Sequence, residues 1–226
     1  MDRPNNGVAC SANELDQFRN DSRRNIFRSI AIFCRHNGPL HGYYMEFGCH
    51  KARTMRLAWD VCHAEHDWIY VGFDSFEGLP EIQEIDQMPI WQKGSCAFAE
   101  EEFLHTVLEH GIPRERLITV KGFYQQSLTA ELRERLLPKK AVVVYIDCDL
   151  YASTVPVLEF IKDFLQRGTV LVFDDWFCFF GDPERGERRA FREFCERNPN
   201  LIFESFIQTS EIKSFIYLGS QGGTQQ

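Results

Sequence analysis

The sequence lacks the features that place a protein in a membrane or on nucleic acid. No apolar run approaches the roughly 18 to 20 residues that cross a bilayer, which argues against a membrane span. Acidic residues outnumber basic ones by 33 to 25, and the formal charge of −8 disfavours sequence-independent binding to nucleic-acid phosphates. We therefore expect cations or small molecules as partners, and the sequence leaves a homo-oligomer open.

Paired cysteine motifs are also missing. The chain has 8 cysteines, but none of them forms a CxxC pair. It begins Met1-Asp2-Arg3-Pro4, without an apolar signal segment. These observations favour reduced thiols over disulfides and predict a cytoplasmic protein.

The pattern of apolar runs predicts one α/β domain. The chain has 226 residues, 44% of them apolar, which suffices for a single sizeable core. Short β-rich runs alternate with amphipathic segments, and this alternation is typical of a parallel sheet with helical crossovers. The last two runs are too close together for a crossover helix and should pair antiparallel. The predicted strands are 43–47, 68–73, 117–120, 141–146, 169–173, 201–206 and 214–218.

Two terminal segments flank the predicted domain, which we place at residues 41–219. In residues 1–40, Ser11 and Glu14 form a capping-box pattern and are followed by a helical apolar stripe, so we expect helices that pack on or over the site. Residues 220–226 are polar and rich in glycine, which predicts a flexible tail.

Proline and glycine mark further helices and a loop. Pro156 is expected in the first turn of a helix that runs to about residue 167, and Asp182-Pro183 is expected to open another that ends near residue 198. Residues 75–98 contain two prolines and two glycines without a clear period. A loop of that length in a compact domain is typical of a lid over a site.

A possible cofactor site follows the first two predicted strands. The first strand ends in Glu46-Phe47-Gly48, and a glycine at such a turn lets the backbone approach a nucleotide-like cofactor closely. A plain tight turn explains this motif equally well. Asp74 follows the second strand, where a carboxylate can accept hydrogen bonds from ribose hydroxyls. A helix cap is the alternative for Asp74.

Four carboxylates gather at the ends of two later strands. Asp147 and Asp149 follow one strand, and Asp174-Asp175 follows the next. Parallel strands joined by one helix end at the same edge of the sheet, so these groups should meet there. Close carboxylates repel each other, and a hard divalent cation such as Mg²⁺ removes the conflict. Asp147 and Asp149 share a face if the strand continues, so one can bind metal while the other takes a proton. Solvated aspartates that cap the next helices are the alternative.

Four segments together resemble the macrocin O-methyltransferase family. They are Glu46-Phe47-Gly48, FDSFEGLP at 73–80, DCDLYAST at 147–154 and FDDW at 173–176. The resemblance implies a class I SAM-methyltransferase fold: a Rossmann-like three-layer α/β sandwich with a seven-stranded, mostly parallel sheet and an antiparallel C-terminal hairpin. It further implies S-adenosyl-L-methionine (SAM) and Mg²⁺ or Mn²⁺ as cofactors, and methyl transfer to a hydroxyl of a sugar, a glycosylated natural product or a glycan.

The same resemblance assigns roles to individual residues. Asp149 would be the general base, and the metal ligands would be Asp147, Asp174 and Asp175. The cofactor-binding residues would be Glu46, Phe47, Gly48, Asp74, Ser75, Gly122 and Asp147. The chain departs from the family after Gly48, where His50-Lys51-Ala52-Arg53 stands in place of a further glycine.

Three other functions use similar residues. A haloacid-dehalogenase-type phosphatase has a DxD motif, but on its first strand, whereas Asp147 follows a late one. A metal-dependent glycosyltransferase also uses DxD, yet it would not need the Glu46-Phe47-Gly48 turn or Asp74. A non-catalytic SAM-binding protein would keep the core and lose the base or the metal ligands, whereas all four aspartates are present here.

Overall fold

The computed structural model describes residues 11–38 and 40–221. Most of the tail predicted over 220–226 lies outside the described residues, as do the first ten residues of the N-terminal segment. Ser220, expected in that tail, is instead the last residue of a strand. Within the described ranges, no helix is both long and apolar enough to span a membrane.

Seven strands form one sheet in the order β3-β2-β1-β4-β5-β7-β6. Strands β1 to β5 are parallel, and β7 pairs antiparallel with both β5 and β6. The predicted mostly parallel sheet with an antiparallel C-terminal hairpin is therefore confirmed. The strands are β1 Tyr43–Phe47, β2 Ile69–Asp74, β3 Leu117–Lys121, β4 Ala141–Ile146, β5 Val170–Phe173, β6 Leu201–Gln208 and β7 Lys213–Ser220.

Helices cover both faces of this sheet because alternate residues of the central strands point to opposite sides. In β1, Tyr44 faces a core that includes residues of helices α1, α2 and α3. Its neighbour Met45 faces a second core built with α5, α6 and α7. The helices are α1 Ala12–Asn37, α2 Arg53–Cys62, α3 Glu100–Glu109, α4 Tyr124–Ser127, α5 Ala130–Leu136, α6 Tyr151–Ile161 and α7 Gly186–Arg197.

The N-terminal segment contains a single long helix in its described part. The predicted capping box is present, since the Ser11 side chain accepts a hydrogen bond from the Glu14 backbone and the Glu14 side chain accepts one from Ser11. The apolar stripe of α1 packs on the sheet, where the Phe27 ring lies 6.0 Å from Tyr44 and 5.8 Å from Tyr145 between centroids. Helix α1 is thereby part of the main core.

Two helix starts differ from the prediction. Helix α6 begins at Tyr151, so Pro156 lies inside it. The proline cannot donate to the Ala152 carbonyl one turn earlier, and the Gln125 side chain donates to that carbonyl instead, at 3.1 Å. Helix α7 begins at Gly186 because the Asp182 carboxylate accepts from the Glu184 backbone N–H and forms a local turn.

Candidate active site

A cavity of about 410 Å³ opens at the carboxyl ends of β1, β2, β4 and β5. This is the edge at which parallel α/β sheets bind their ligands, and the volume suits a small molecule. Of the residues predicted for the site, the cavity is lined by Gly48, Asp74, Ser75, Gly122, Asp147, Asp149, Asp174 and Asp175.

Gly48 makes the turn after β1 possible. Its φ is +90°, and a Cβ added there would lie 1.8 Å from the carbonyl oxygen of Asp147. Its N–H donates to the Phe73 carbonyl at 3.0 Å. His50 and Ala52 also have positive φ values, of 38° and 57°. The turn therefore brings the backbone of Gly48 to the lining of the cavity.

Asp74 holds this turn in place. Its carboxylate accepts hydrogen bonds from the N–H groups of Cys49 at 2.6 Å, His50 at 3.1 Å and Phe76 at 2.7 Å. A carboxylate has about four acceptor positions. Three are used by the backbone, so one is left for a ligand.

Ser75 and Gly122 shape the walls beside Asp74. The Ser75 hydroxyl donates to the Gly78 carbonyl at 2.8 Å and accepts from the Glu77 N–H at 3.1 Å, which fixes the start of the 75–98 loop. Gly122 donates its N–H to the Asp74 carbonyl at 2.9 Å and has a φ of +131°. Both residues line the cavity.

Glu46 and Phe47 do not line the cavity, although the sequence predicts that both contact the cofactor. β1 is buried on both faces, so each side chain points into a core. Phe47 stacks on Phe73 with centroids 4.3 Å apart. Glu46 accepts a hydrogen bond from the Tyr44 hydroxyl, and burial raises its pKa to about 8. Both residues therefore belong to the buried strand that leads into the Gly48 turn.

Three carboxylates converge on one side of the cavity. Asp147, Asp149 and Asp175 each offer an oxygen, and these oxygens lie within 4.8 Å of one another. Burial, followed by the charges of Asp174 and Asp175, raises the pKa of Asp147 well above its usual value. Burial, followed by the charge of Asp149, does the same to the pKa of Asp175. The three carboxylates repel one another when ionised, and a cation bound between them would stabilise the ionised form.

The backbone conformation that places Asp149 in this group differs from the predicted one. Strand β4 ends at Ile146, and Asp149 has a φ of +59°, so the two acids do not share the face of a continuing strand. The Asp149 N–H donates to an Asp175 carboxylate oxygen at 3.2 Å. Burial, and next the charge of Asp147, raises the pKa of Asp149 to about 7.

Asp174, predicted as a metal ligand, lines the cavity and pairs with an arginine. Arg23 of α1 donates from Nη2 to one carboxylate oxygen at 2.5 Å and from Nε to the other at 3.1 Å. The Tyr145 hydroxyl also donates to Asp174. The positive charge of the arginine thus lies against this carboxylate, beside the group formed by Asp147, Asp149 and Asp175.

Two buried charged residues at the site were not predicted from the sequence. Glu187 of α7 accepts from the N–H of Cys148 at 3.3 Å and from the N–H of Asp175 at 3.1 Å, so it joins the two acid-bearing loops. Arg23 is the second. Both stand one turn before an apolar stripe and on the same helix face: Arg23 precedes Ile26, Phe27 and Ile30, and Glu187 precedes Ala190, Phe191 and Phe194. A charged residue at a core position of a helix is the sequence feature that could have identified them.

The 75–98 loop packs beside the cavity and is anchored at its middle. The buried carboxylate of Asp86 accepts from the N–H groups of Tyr151 and Ala152, at 2.7 and 3.1 Å, and so caps α6. Trp91 packs against Phe179 with centroids 4.7 Å apart. The start of this loop lines the cavity, which is the position expected of a lid.

The strand order and the cavity at the carboxyl edge define the fold class as that of the class I SAM-dependent methyltransferases. The chain belongs to the macrocin O-methyltransferase family: the family model described as Macrocin-O-methyltransferase (TylF) matches residues 40–201. It is therefore a SAM-dependent O-methyltransferase. No curated protein sequence matches the chain.

Solved structures of low sequence identity share the fold. The O-methyltransferase NovP is 19% identical and superposes with a TM-score of 0.68, over 87% of this chain and 79% of NovP. CalS11, a calicheamicin methyltransferase, is 20% identical with a TM-score of 0.67, over 92% of this chain and 94% of its own. TomG from Streptomyces achromogenes, solved with SAM, is 14% identical with a TM-score of 0.53, over 95% of this chain and 83% of its own.

Proposed function

We propose that this methyltransferase transfers the methyl group of SAM to a hydroxyl of a sugar, a glycosylated natural product or a glycan, with the help of a divalent metal. One observation carries the proposal. The Gly48 turn, Asp74 and the group of Asp147, Asp149 and Asp175 all face the same cavity. A cofactor-binding turn and a candidate metal and base site within one cavity suit metal-assisted methyl transfer.

SAM would bind along the ends of β1 and β2. The bare backbone at Gly48 and Gly122 lets the cofactor approach, and Asp147 and Ser75 line the same surface. Asp74 would accept one ribose hydroxyl, since its other acceptor positions are filled by backbone N–H groups. Glu46 and Phe47 would act on cofactor binding only by supporting the turn.

The acid group fits a magnesium or manganese ion. Mg²⁺ in enzymes is commonly held by one or two carboxylates together with waters and substrate oxygens. Asp147 and Asp175 would supply these carboxylates, and Asp174, the third ligand expected from the resemblance, lines the same cavity, where it pairs with Arg23. When bound, the ion would make an acceptor hydroxyl easier to deprotonate.

Asp149 would then take the proton of that hydroxyl. Its carboxyl lies beside those of Asp147 and Asp175 and lines the cavity, so an acceptor held against the metal comes within its reach. The reaction further needs the acceptor oxygen about 3 to 3.5 Å from the methyl carbon, in line with the departing sulfur. The walls formed by α1 and by the start of the 75–98 loop would hold the acceptor in that line.

The proposal is tested by incubating the protein with SAM and a panel of sugars, nucleotide sugars and glycosylated natural products. A product heavier than its acceptor by one CH₂ unit should form, and EDTA should abolish it until Mg²⁺ or Mn²⁺ is restored. Full activity in chelator would refute the metal's role. SAM binding without turnover on any acceptor would instead favour a non-catalytic SAM-binding protein.

A further inference from the structure

The 75–98 loop supplies the N-terminal cap of α6. The side chain of Asp86 is fully buried, and its two carboxylate oxygens accept hydrogen bonds from the N–H groups of Tyr151 and Ala152, at 2.7 and 3.1 Å. Leu150, the residue before α6, makes no side-chain cap of its own. The first turn of α6 therefore depends on a carboxylate 65 positions earlier in the chain, which the helix dipole also favours.

A small apolar cluster attaches the same loop to the residue that follows Asp149. Trp91 packs in this cluster with Leu150 and Phe179, and all three side chains are buried. Leu150 comes directly after Asp149, and Phe179 belongs to the segment that follows β5. The residue next to Asp149 is thus held by contacts with both the loop and that segment.

Arg185 holds the middle of the loop in place as well. Its guanidinium carbon lies 4.4 Å from the centre of the Phe179 ring. The same guanidinium donates to the carbonyls of Ile85, at 3.0 Å, and Gln87, at 2.7 Å. Residues 85–91 are therefore attached to the rest of the protein by hydrogen bonds and by apolar packing.

The backbone of Asp149 needs support of this kind. Its φ of +59° lies in the left-handed region, which costs a non-glycine residue free energy and persists only where the surrounding structure imposes it. Its N–H donates to Asp175 at 3.2 Å. The two residues after it contact Trp91 and Asp86. The loop therefore holds the chain immediately after this strained position.

We propose that Asp86 and Trp91 are positioning residues that fix the Asp149 carboxyl against the acceptor hydroxyl, with residues 85–91 as a rigid support for that carboxyl. The inference rests on the proposed function, in which Asp149 takes the acceptor proton. A general base must lie within about 2.6 to 3.2 Å of the group it deprotonates, so a small shift of Asp149 slows the chemical step. Neither Asp86 nor Trp91 lines the cavity, so binding of SAM and acceptor should not depend on them.

Kinetics on an acceptor found in the methyl-transfer panel test this role. Asp86→Ala and Trp91→Leu should each lower kcat by about tenfold or more, with the KM values for SAM and acceptor within about threefold of wild type. Glu84→Ala is the matched control, since Glu84 is an exposed acid in the same turn, and it should keep the wild-type kcat. Raised KM values with an unchanged kcat would overturn the proposal.

The Asp149→Asn background decides whether Asp86 acts through Asp149. If it does, adding Asp86→Ala to Asp149→Asn should slow the single-turnover rate by less than about threefold, because the base is already missing. A merely structural role would lower the rate by the same factor in both backgrounds. Such additivity would overturn the proposal.

Hydrogen exchange gives a readout that needs neither acceptor nor metal. Asp86→Ala removes the acceptor of the Tyr151 and Ala152 amides, so peptides over residues 147–155 should exchange at least about tenfold faster. Glu84→Ala should leave their exchange within about threefold of wild type. Equal exchange in the two variants would contradict the inference. Asp86→Asn, which keeps one acceptor oxygen, replaces Asp86→Ala in all assays if the alanine variant does not fold, and it should shift each readout in the same direction.

The kinetic and exchange assays separate failure of this inference from failure of the proposed function. A wild-type protein that methylates no acceptor would refute the proposed function. The exchange comparison would still decide whether the loop holds the segment that carries Asp149.

Discussion

A Cβ at Gly48 would lie 1.8 Å from the carbonyl oxygen of Asp147, so the turn after β1 and the acid-bearing loop are in direct backbone contact. No side chain larger than hydrogen fits between them without moving one of the two loops. The positions of the proposed cofactor site and of the acid group are therefore linked through this one glycine.

Gly48→Ala should cost about 3 kcal/mol or more of unfolding free energy, because it adds this clash to the strain of a positive φ. SAM affinity should fall with it. Urea unfolding and SAM calorimetry measure the two effects. Gly111→Ala is the control: its φ is +100°, but no atom lies within 4 Å of the added Cβ, so only the strain of about 1 kcal/mol is expected. Equal losses in the two variants would show that the contact with Asp147 is unimportant.

Glu187→Gln should weaken both stability and catalysis. The carboxylate accepts from the N–H groups of Cys148 and Asp175, and an amide would turn a donor toward one of them. We expect a loss of about 1 to 3 kcal/mol in unfolding free energy and a lower kcat. Glu196→Gln, on the exposed side of the same helix, should change unfolding free energy by less than about 0.5 kcal/mol. A Glu187→Gln enzyme with wild-type kcat would show that this bridge does not position the acids.

Glu46 should make stability depend on pH. Burial raises its pKa from 4.5 to about 8 in the folded protein, so the folded state holds this proton more tightly than the unfolded state does. Its contribution is complete below pH 4.5 and is lost as the pH rises to 8, with a limiting slope of about 1.4 kcal/mol per pH unit. Glu46→Gln, which cannot ionise, should lose less stability between pH 6 and pH 8 in urea unfolding. Parallel curves for the two proteins would contradict this pKa.

The sheet could be predicted from local sequence because its signals are local. The apolar runs of β4 and β5 are buried on both faces, and their length and spacing indicate central parallel strands. The start of α6 could not be predicted in the same way. It depends on the Asp86 carboxylate and the Gln125 side chain, which come from distant parts of the chain.

The location of the candidate site could be predicted from the sequence, whereas the partners of its side chains could be predicted less well. The rule that parallel strands end at one edge brought Gly48, Asp74 and the four aspartates together correctly. The partner of Asp174 lies 151 residues away in α1, and no spacing rule connects the two. Phe47 and Glu46 were expected to contact the cofactor because they adjoin Gly48, but the alternation of β1 turns both into the cores.

Single-turnover methyl transfer with saturating SAM and Mg²⁺ tests most directly whether Asp149 takes the acceptor proton. Asp149→Asn keeps the size of the side chain, so SAM and metal binding, checked by calorimetry, should be preserved while the chemical step slows by about 10² to 10⁴. If Asp149 is instead only a metal ligand or a helix cap, metal affinity or stability should fall and the step should persist at saturating Mg²⁺. A fall in the single-turnover rate of less than about threefold would contradict the base role of Asp149.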